Sequence, residues 1–127
     1  MPAATAPVVE RFIVMRGDAT LEVLAQGKGP SIVMLPSLGR GASDFDAIAD
    51  RLAEAGFRVL RPQPRGIGNS TGPWQGVKLE DLADDIAAVI EHDVNGPAFV
   101  VGHAFGNRVA RLLATIRPDL VRAFLVR

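Results

Sequence analysis

Residues 98–106 read AFVVGHAFG. The first four form a short apolar run, the pattern of a strand buried on both faces. Gly102 and Gly106 then bracket His103, Ala104 and Phe105 in a G-x-x-x-G spacing. Beyond them Val109, Leu112, Leu113 and Ile116 recur at helical spacing until Pro118 stops the pattern. The local reading is therefore strand, sharp corner, helix. Small residues two positions either side of Ala104 let the strand and the helix approach closely around that corner.

Working outward, the same alternation covers the chain. Residues 8–15 and 20–25 are rich in β-formers, and Gly17-Asp18 between them predicts a hairpin turn. Arg16-Gly17-Asp18 also spells an adhesion tripeptide, but without a secretion signal the turn is the better reading. Residues 32–35, IVML, form a second continuous apolar run. A helix is expected from Ser43 as N-cap with Asp46 three residues on, its apolar face Phe45, Ile48, Ala49, Leu52 and Ala53, and its end at Gly56. A strand at 57–60, a Gly/Pro-rich loop at 61–77 and a helix marked by Leu79, Leu82, Ala83, Ile86, Val89 and Ile90 follow. A strand opens again at 121–127. A hairpin followed by β-α-β-α-β-α-β predicts an α/β fold: three layers, α/β/α, with a mostly parallel sheet behind an antiparallel hairpin. Ligands in such folds bind beyond the C-terminal ends of the strands, here the loops 36–42, 61–77 and 102–106.

Composition narrows the function. The 127 residues make one domain, and 48% of them are apolar, enough for a core. Fourteen basic and fourteen acidic residues cancel, so charge gives no case for nucleic acid or an anionic membrane as partner. There is no cysteine, which removes disulfides, thiolate chemistry and Cys-based metal sites. The Ala/Pro-rich start, MPAATAPVVERF, has no long apolar stretch and reads as neither signal peptide nor membrane span. A cytoplasmic protein with a small-molecule ligand or substrate, and with no cofactor or metal, is the expectation.

Three motifs in order carry a resemblance. LPSLGRG at 35–41, PRGIGNS at 64–70 and GHAFG at 102–106 resemble the oxyanion loop, the Asp-x-Arg-Gly-x-Gly-x-Ser loop and the nucleophile elbow of the α/β-hydrolase fold. The resemblance covers residues 8–127 and is nearest the epoxide-hydrolase-like or esterase-like branches. It implies that the strand at 32–35 lies between those at 57–60 and 98–101. It implies ester, amide or epoxide hydrolysis as the ancestral chemistry. It also places the catalytic nucleophile at Ala104, and the oxyanion-stabilising N–H groups at Leu38 and Phe105. Those donors belong to the backbone, so side-chain identity matters little to them. A methyl group, however, is no nucleophile.

The chain departs from the family pattern elsewhere too. Pro36-Ser37 replaces the usual His-Gly, and Gln63 stands where Asp is common. Departures at independent sites favour natural divergence over an engineered Ser-to-Ala change. Among other candidates, Ser37 lies at the pocket mouth, where a loop serine bonding nearby backbone is the plainer reading. His103 reads as a residue packed beside the elbow rather than a base. His92 closes a helix at the surface, and Ser70 packs its loop. Trp74 either lines the binding cavity or pins the loop, and both readings stay open.

In this fold the triad runs Ser, then Asp or Glu, then His, and residues 107–127 are taken up by a helix and a strand. The expectation is that residues 1–127 form the N-terminal part of a hydrolase core, with the cap region and C-terminal strands outside it. The chain should then be inactive by the usual triad route. Its last strand would be an open edge suited to self-association. Two alternatives remain. One is a non-enzymatic small-molecule or protein binder on the same scaffold. The other is a dinucleotide-binding, Rossmann-like domain, with Gly39-x-Gly41 in its loop and Arg61 and Arg65 placed for a 2′-phosphate.

Overall fold

A computed structural model describes residues 8–93 and 95–127. The N-terminal hairpin pairs β1 (Glu10–Arg16) with β2 (Ala19–Gln26), Arg16 opposite Ala19. Gly17, at φ 53, holds the first central position of the two-residue turn, the conformation a tight hairpin requires there. Arg16 turns inward to Asp85 and the carbonyl of Asp81, so the tripeptide serves the turn and the packing behind it.

Three parallel strands form the centre: β3 (Ser31–Leu35), β4 (Arg58–Pro62) and β5 (Ala98–Gly102). The last strand, β6 (Val121–Val126), joins beyond β5, giving the order β1-β2-β4-β3-β5-β6. The strand at 32–35 thus lies between its two expected neighbours. Side chains alternate across the sheet. Val33, Leu35 and Leu60 enter one core with α2 (Leu79–Asp93) and α3 (Phe105–Ile116). Ile32, Met34 and Val59 enter the opposite core with α1 (Asp46–Glu54). The result is the expected three-layer α/β/α arrangement.

Two local expectations are corrected. Ser43 is not an N-cap: it sits exposed inside a 3-10 turn, Ala42–Phe45, and α1 starts after Phe45 with no side-chain cap bond. Tertiary contacts set this entry. Gln63 Oε1 accepts the Ala42 N–H at 2.8 Å, while the buried Arg61 donates to the Ala42 carbonyl at 3.1 Å and to Asp46. The face of α1 is correspondingly narrower, with Ala49 and Ala53 buried and Ile48 exposed. Secondly, β4 runs on to Pro62, because β2 pairs with it antiparallel as far as Val23 opposite Pro62.

The loop after β4 is held from below. Ser70 is buried; its hydroxyl donates to the Gln63 carbonyl and accepts the Glu22 N–H, both at 2.8 Å. The Glu22 carboxylate accepts from the Asn69 backbone and side chain. Burial pushes the Glu22 carboxyl up, but the Asn69 bonds and nearby Arg11 outweigh it and hold it below the ordinary glutamate range. On β6, Phe124 and Leu125 are exposed. Among the described residues no helix is long and apolar enough to cross a membrane.

Candidate functional site

The corner after β5 is the one backbone position among the described residues where a non-glycine side chain takes positive φ: Ala104, at φ 51 and ψ −113. An L-residue held there costs about 1–3 kcal/mol. The close approach that imposes it is visible on both sides. A Cβ on Gly102 would meet the Gly106 carbonyl, and one on Gly106 would meet the Leu35 carbonyl at the end of β3. Hydrogen bonds fix the turn: His103 N–H to Leu35 O, Gly106 N–H to His103 O and Asn107 N–H to Ala104 O. The Ala104 N–H donates to the Arg127 carbonyl beyond β6.

Beside the corner lies a cavity of about 450 Å³. Its walls come from the three loops at the C-terminal ends of the parallel strands, closed by Leu82, Asp85 and Ile86 of α2. Ser37, Leu38, Trp74 and Phe105 line it; His103 and Ala104 do not. Ala104 sits exposed at the corner itself. Neither the Leu38 nor the Phe105 N–H donates to an acceptor among the described residues. Ser37 closes a turn by accepting the Arg40 N–H at its carbonyl. Trp74 does both things considered for it: it lines the cavity, and its indole N–H donates to the Arg65 carbonyl at 2.8 Å.

His103 is exposed, not packed beside the turn. The tight contacts there are backbone to backbone, which leaves its ring outside. It lies near Asp44, whose carboxyl is held below its ordinary range first by hydrogen bonds from Arg40, with His103 a weaker influence. His92 is exposed at the end of α2, stacked on Phe12 with ring centroids 5.1 Å apart.

The arginines do not await a phosphate. Arg61 is buried among Gln26, Ala42 and Asp46. Arg65 donates to both carboxylate oxygens of Asp85, at 2.8 and 3.0 Å, and to the Pro73 carbonyl. Its hydrogen bonds to Asp85 push its pKa above the ordinary arginine value against the opposing effect of burial. Asp85 also accepts from Arg16 at 3.0 Å. This buried pair forms part of the cavity wall, and Asp85 is the site residue that sequence reading missed. Its signal was present: Leu82, Asp85 and Val89 share one helical face, and an acid on a core-facing stripe requires a buried cation. Among the described residues no group of three or more His, Cys, Asp or Glu could hold a metal ion.

Comparison with known proteins agrees with this architecture. A family description, alpha/beta hydrolase fold, matches residues 30–126. The 2-(acetamidomethylene)succinate hydrolase of Mesorhizobium japonicum is 35% identical over 107 residues, covering 84% of this chain and 38% of that protein. The bifunctional esterase/perhydrolase of Acinetobacter calcoaceticus is 40% identical over 81 residues, covering 63% and 29%. The crystal structure of an epoxide hydrolase from Vigna radiata superposes with a TM-score of 0.87 at 25% identity, over 93% of this chain and 39% of that one. The chain therefore spans less than half the length of these similar proteins.

Proposed function

The chain belongs to the α/β-hydrolase fold family, and from that premise we propose that it keeps the family's binding corner without its nucleophile. It binds a carbonyl- or carboxyl-bearing small molecule non-covalently, and it does not turn over esters by the serine route. The observation that carries this reading is Ala104, in the strained elbow conformation with only a methyl group. The named relatives, hydrolases of an acetamido compound, of esters and of epoxides, support attack on an ester, amide or epoxide carbon as the ancestral chemistry. Such attack needs a nucleophilic atom at the corner and a base to take its proton.

What remains can bind. The N–H groups of Leu38 and Phe105, which have no acceptor among the described residues, suit a carbonyl or carboxylate oxygen, and the cavity wall beside them is mostly apolar. His103, like Ala104, lies outside the cavity lining and is exposed. Trp74 is the only tryptophan, so its emission reports occupancy directly. The experiment titrates the chain with a p-nitrophenyl ester and with the matching methyl ketone, following Trp74 fluorescence and p-nitrophenolate release. It then treats the native and Ala104→Ser chains with a fluorophosphonate. Saturable quenching by both ligands, no release and no labelling are expected. Release by the native chain would expose an unrecognised nucleophile, with Ser37→Ala the first control, and absence of quenching would remove the binding role.

A further inference from the structure

At the N-terminal ends of β3, β4 and β5, opposite the cavity, the turns that enter these strands are tied to one another. The Asn95 side-chain amide, between α2 and β5, donates to the Gly29 carbonyl at 2.9 Å and to the Ser31 hydroxyl at 2.7 Å. An amide nitrogen carries two hydrogens, so both are used. Gly29 is in turn wedged against the turn between α1 and β4, where a Cβ on it would meet the Gly56 carbonyl. Beside them Arg58 donates to Asp93 and to the Gly27 carbonyl. Asn95 thus latches the entry of β5 to that of β3.

The residue after this latch is glycine. The sequence holds three asparagines, Asn69, Asn95 and Asn107, and only Asn95 precedes a glycine. The backbone nitrogen that follows an asparagine can attack its side-chain carbonyl carbon. A Cβ on the following residue obstructs that approach, and glycine has none. Gly96 is exposed, at φ 79, and its N–H has no acceptor among the described residues. The other two asparagines are held differently. The nitrogen after Asn69 belongs to the buried Ser70 and donates to the Ile67 carbonyl at 2.9 Å, while the Asn69 amide donates to Glu22. Asn107 lies in α3, with its side-chain oxygen and nitrogen both bonded to the Arg127 backbone.

We propose that Asn95 is a site of spontaneous covalent modification, and that the reaction opens the latch. The Gly96 nitrogen bonds to the Asn95 Cγ and loses its proton. The Cγ–Nδ2 bond breaks, and Nδ2 takes up a proton and leaves as ammonia. One water molecule then opens the five-membered imide at either of its carbonyls, giving aspartate or isoaspartate. In sum, one amide and one water become one carboxylic acid and one ammonia. The ionised product accepts hydrogen bonds but donates none. It has no hydrogen for the Gly29 carbonyl, and its charge lies against that oxygen. The isoaspartate form also inserts a methylene into the backbone before Gly96. None of these residues lines the cavity, so the inference is independent of the binding role proposed above.

The test incubates the full chain at mildly alkaline pH, then maps it by proteolysis and mass spectrometry, with an isoaspartyl methyltransferase marking isoaspartate. Conversion at Asn95 with Asn69 and Asn107 intact is expected. Ser31→Ala, still folded by circular dichroism, removes one acceptor and should speed conversion about fivefold, the factor that one lost hydrogen bond represents. The acidic product, separated from the unreacted chain by ion exchange, should show a folding constant about tenfold lower in urea. Asn95→Asp supplies the same comparison for the aspartate form. An intact Asn95 after prolonged incubation, or equal conversion at Asn69 or Asn107, overturns the modification site. An unchanged rate in Ser31→Ala, or a product as stable as the native chain, overturns the latch.

Discussion

Replacing Ala104 with glycine is expected to stabilise the chain, the reverse of what the same change does at an ordinary exposed alanine. At φ 51 and ψ −113 an alanine stores about 1–3 kcal/mol of backbone strain, which glycine does not feel. The methyl is exposed, so its removal gives up little burial. Against the relief stands the larger unfolded-state entropy of glycine, about 0.4–1 kcal/mol. The difference favours glycine by about 1 kcal/mol. With an unfolding entropy of about 2.1 cal/mol/K per residue over 127 residues, that raises Tm by about 4 °C. The assay is thermal and urea unfolding followed by circular dichroism, in which Cm should rise with m unchanged. Ala47→Gly, at an exposed position of α1, is the matched control and should lose about 0.5–1 kcal/mol. If Ala104→Gly melts at or below the native temperature, the corner is not strained and the argument from its geometry fails.

Further outcomes follow from the packing. Gly106→Ala places a Cβ against the Leu35 carbonyl and should cost about 3 kcal/mol, because both neighbours are backbone and neither can yield; urea unfolding measures it. Asp85→Asn leaves Arg65 buried beside a neutral amide and should cost about 3 kcal/mol, with a shift in Trp74 emission as the Arg65 carbonyl that holds the indole moves. The depressed carboxyl of Glu22 stabilises the fold above its ordinary value of about 4.5 and withdraws that contribution as pH falls through its lower folded value. Glu22→Gln should therefore be less stable at pH 7 by about 1–2 kcal/mol. Its acid unfolding profile should also be shallower than the native one below pH 4.5.

Much of the fold was legible because its signals are local. Continuous apolar runs at 32–35 and 98–101, each short and flanked by glycine or proline, read as strands, and the glycines at 102 and 106 mark a corner whatever lies between them. What was misread depends on residues distant in sequence. The entry to α1 is set by Gln63 and Arg61 rather than by Ser43, and β4 is lengthened by a partner strand more than thirty residues upstream. The position of His103 was misjudged for a similar reason. The crowding at the corner is between backbones, and sequence reports side chains. Asp85 was readable in principle, since a charge on an apolar helical stripe demands a partner, but the partner itself is fixed only by the path of the loop after β4.

The bend at Ala104 has a structural cause that does not invoke function. The backbone at 104 is bent because β5 and α3 meet closely over the end of β3: the Gly106 and Leu35 backbones occupy the space a Cβ would need. His103 donates to Leu35 on one side of the bend and Asn107 to Ala104 on the other. The strain at Ala104 is thus a consequence of packing two elements against a third, and it is offset by the burial of Val109, Ala110 and Leu113 in the core behind them. A side chain at 104 projects away from this packing into solvent and contributes nothing to it. Changing the side chain at 104 therefore leaves this packing intact, while adding a Cβ at either glycine does not. The bend at this turn depends on Gly102, Gly106 and the Leu35 backbone, and not on the group carried at position 104.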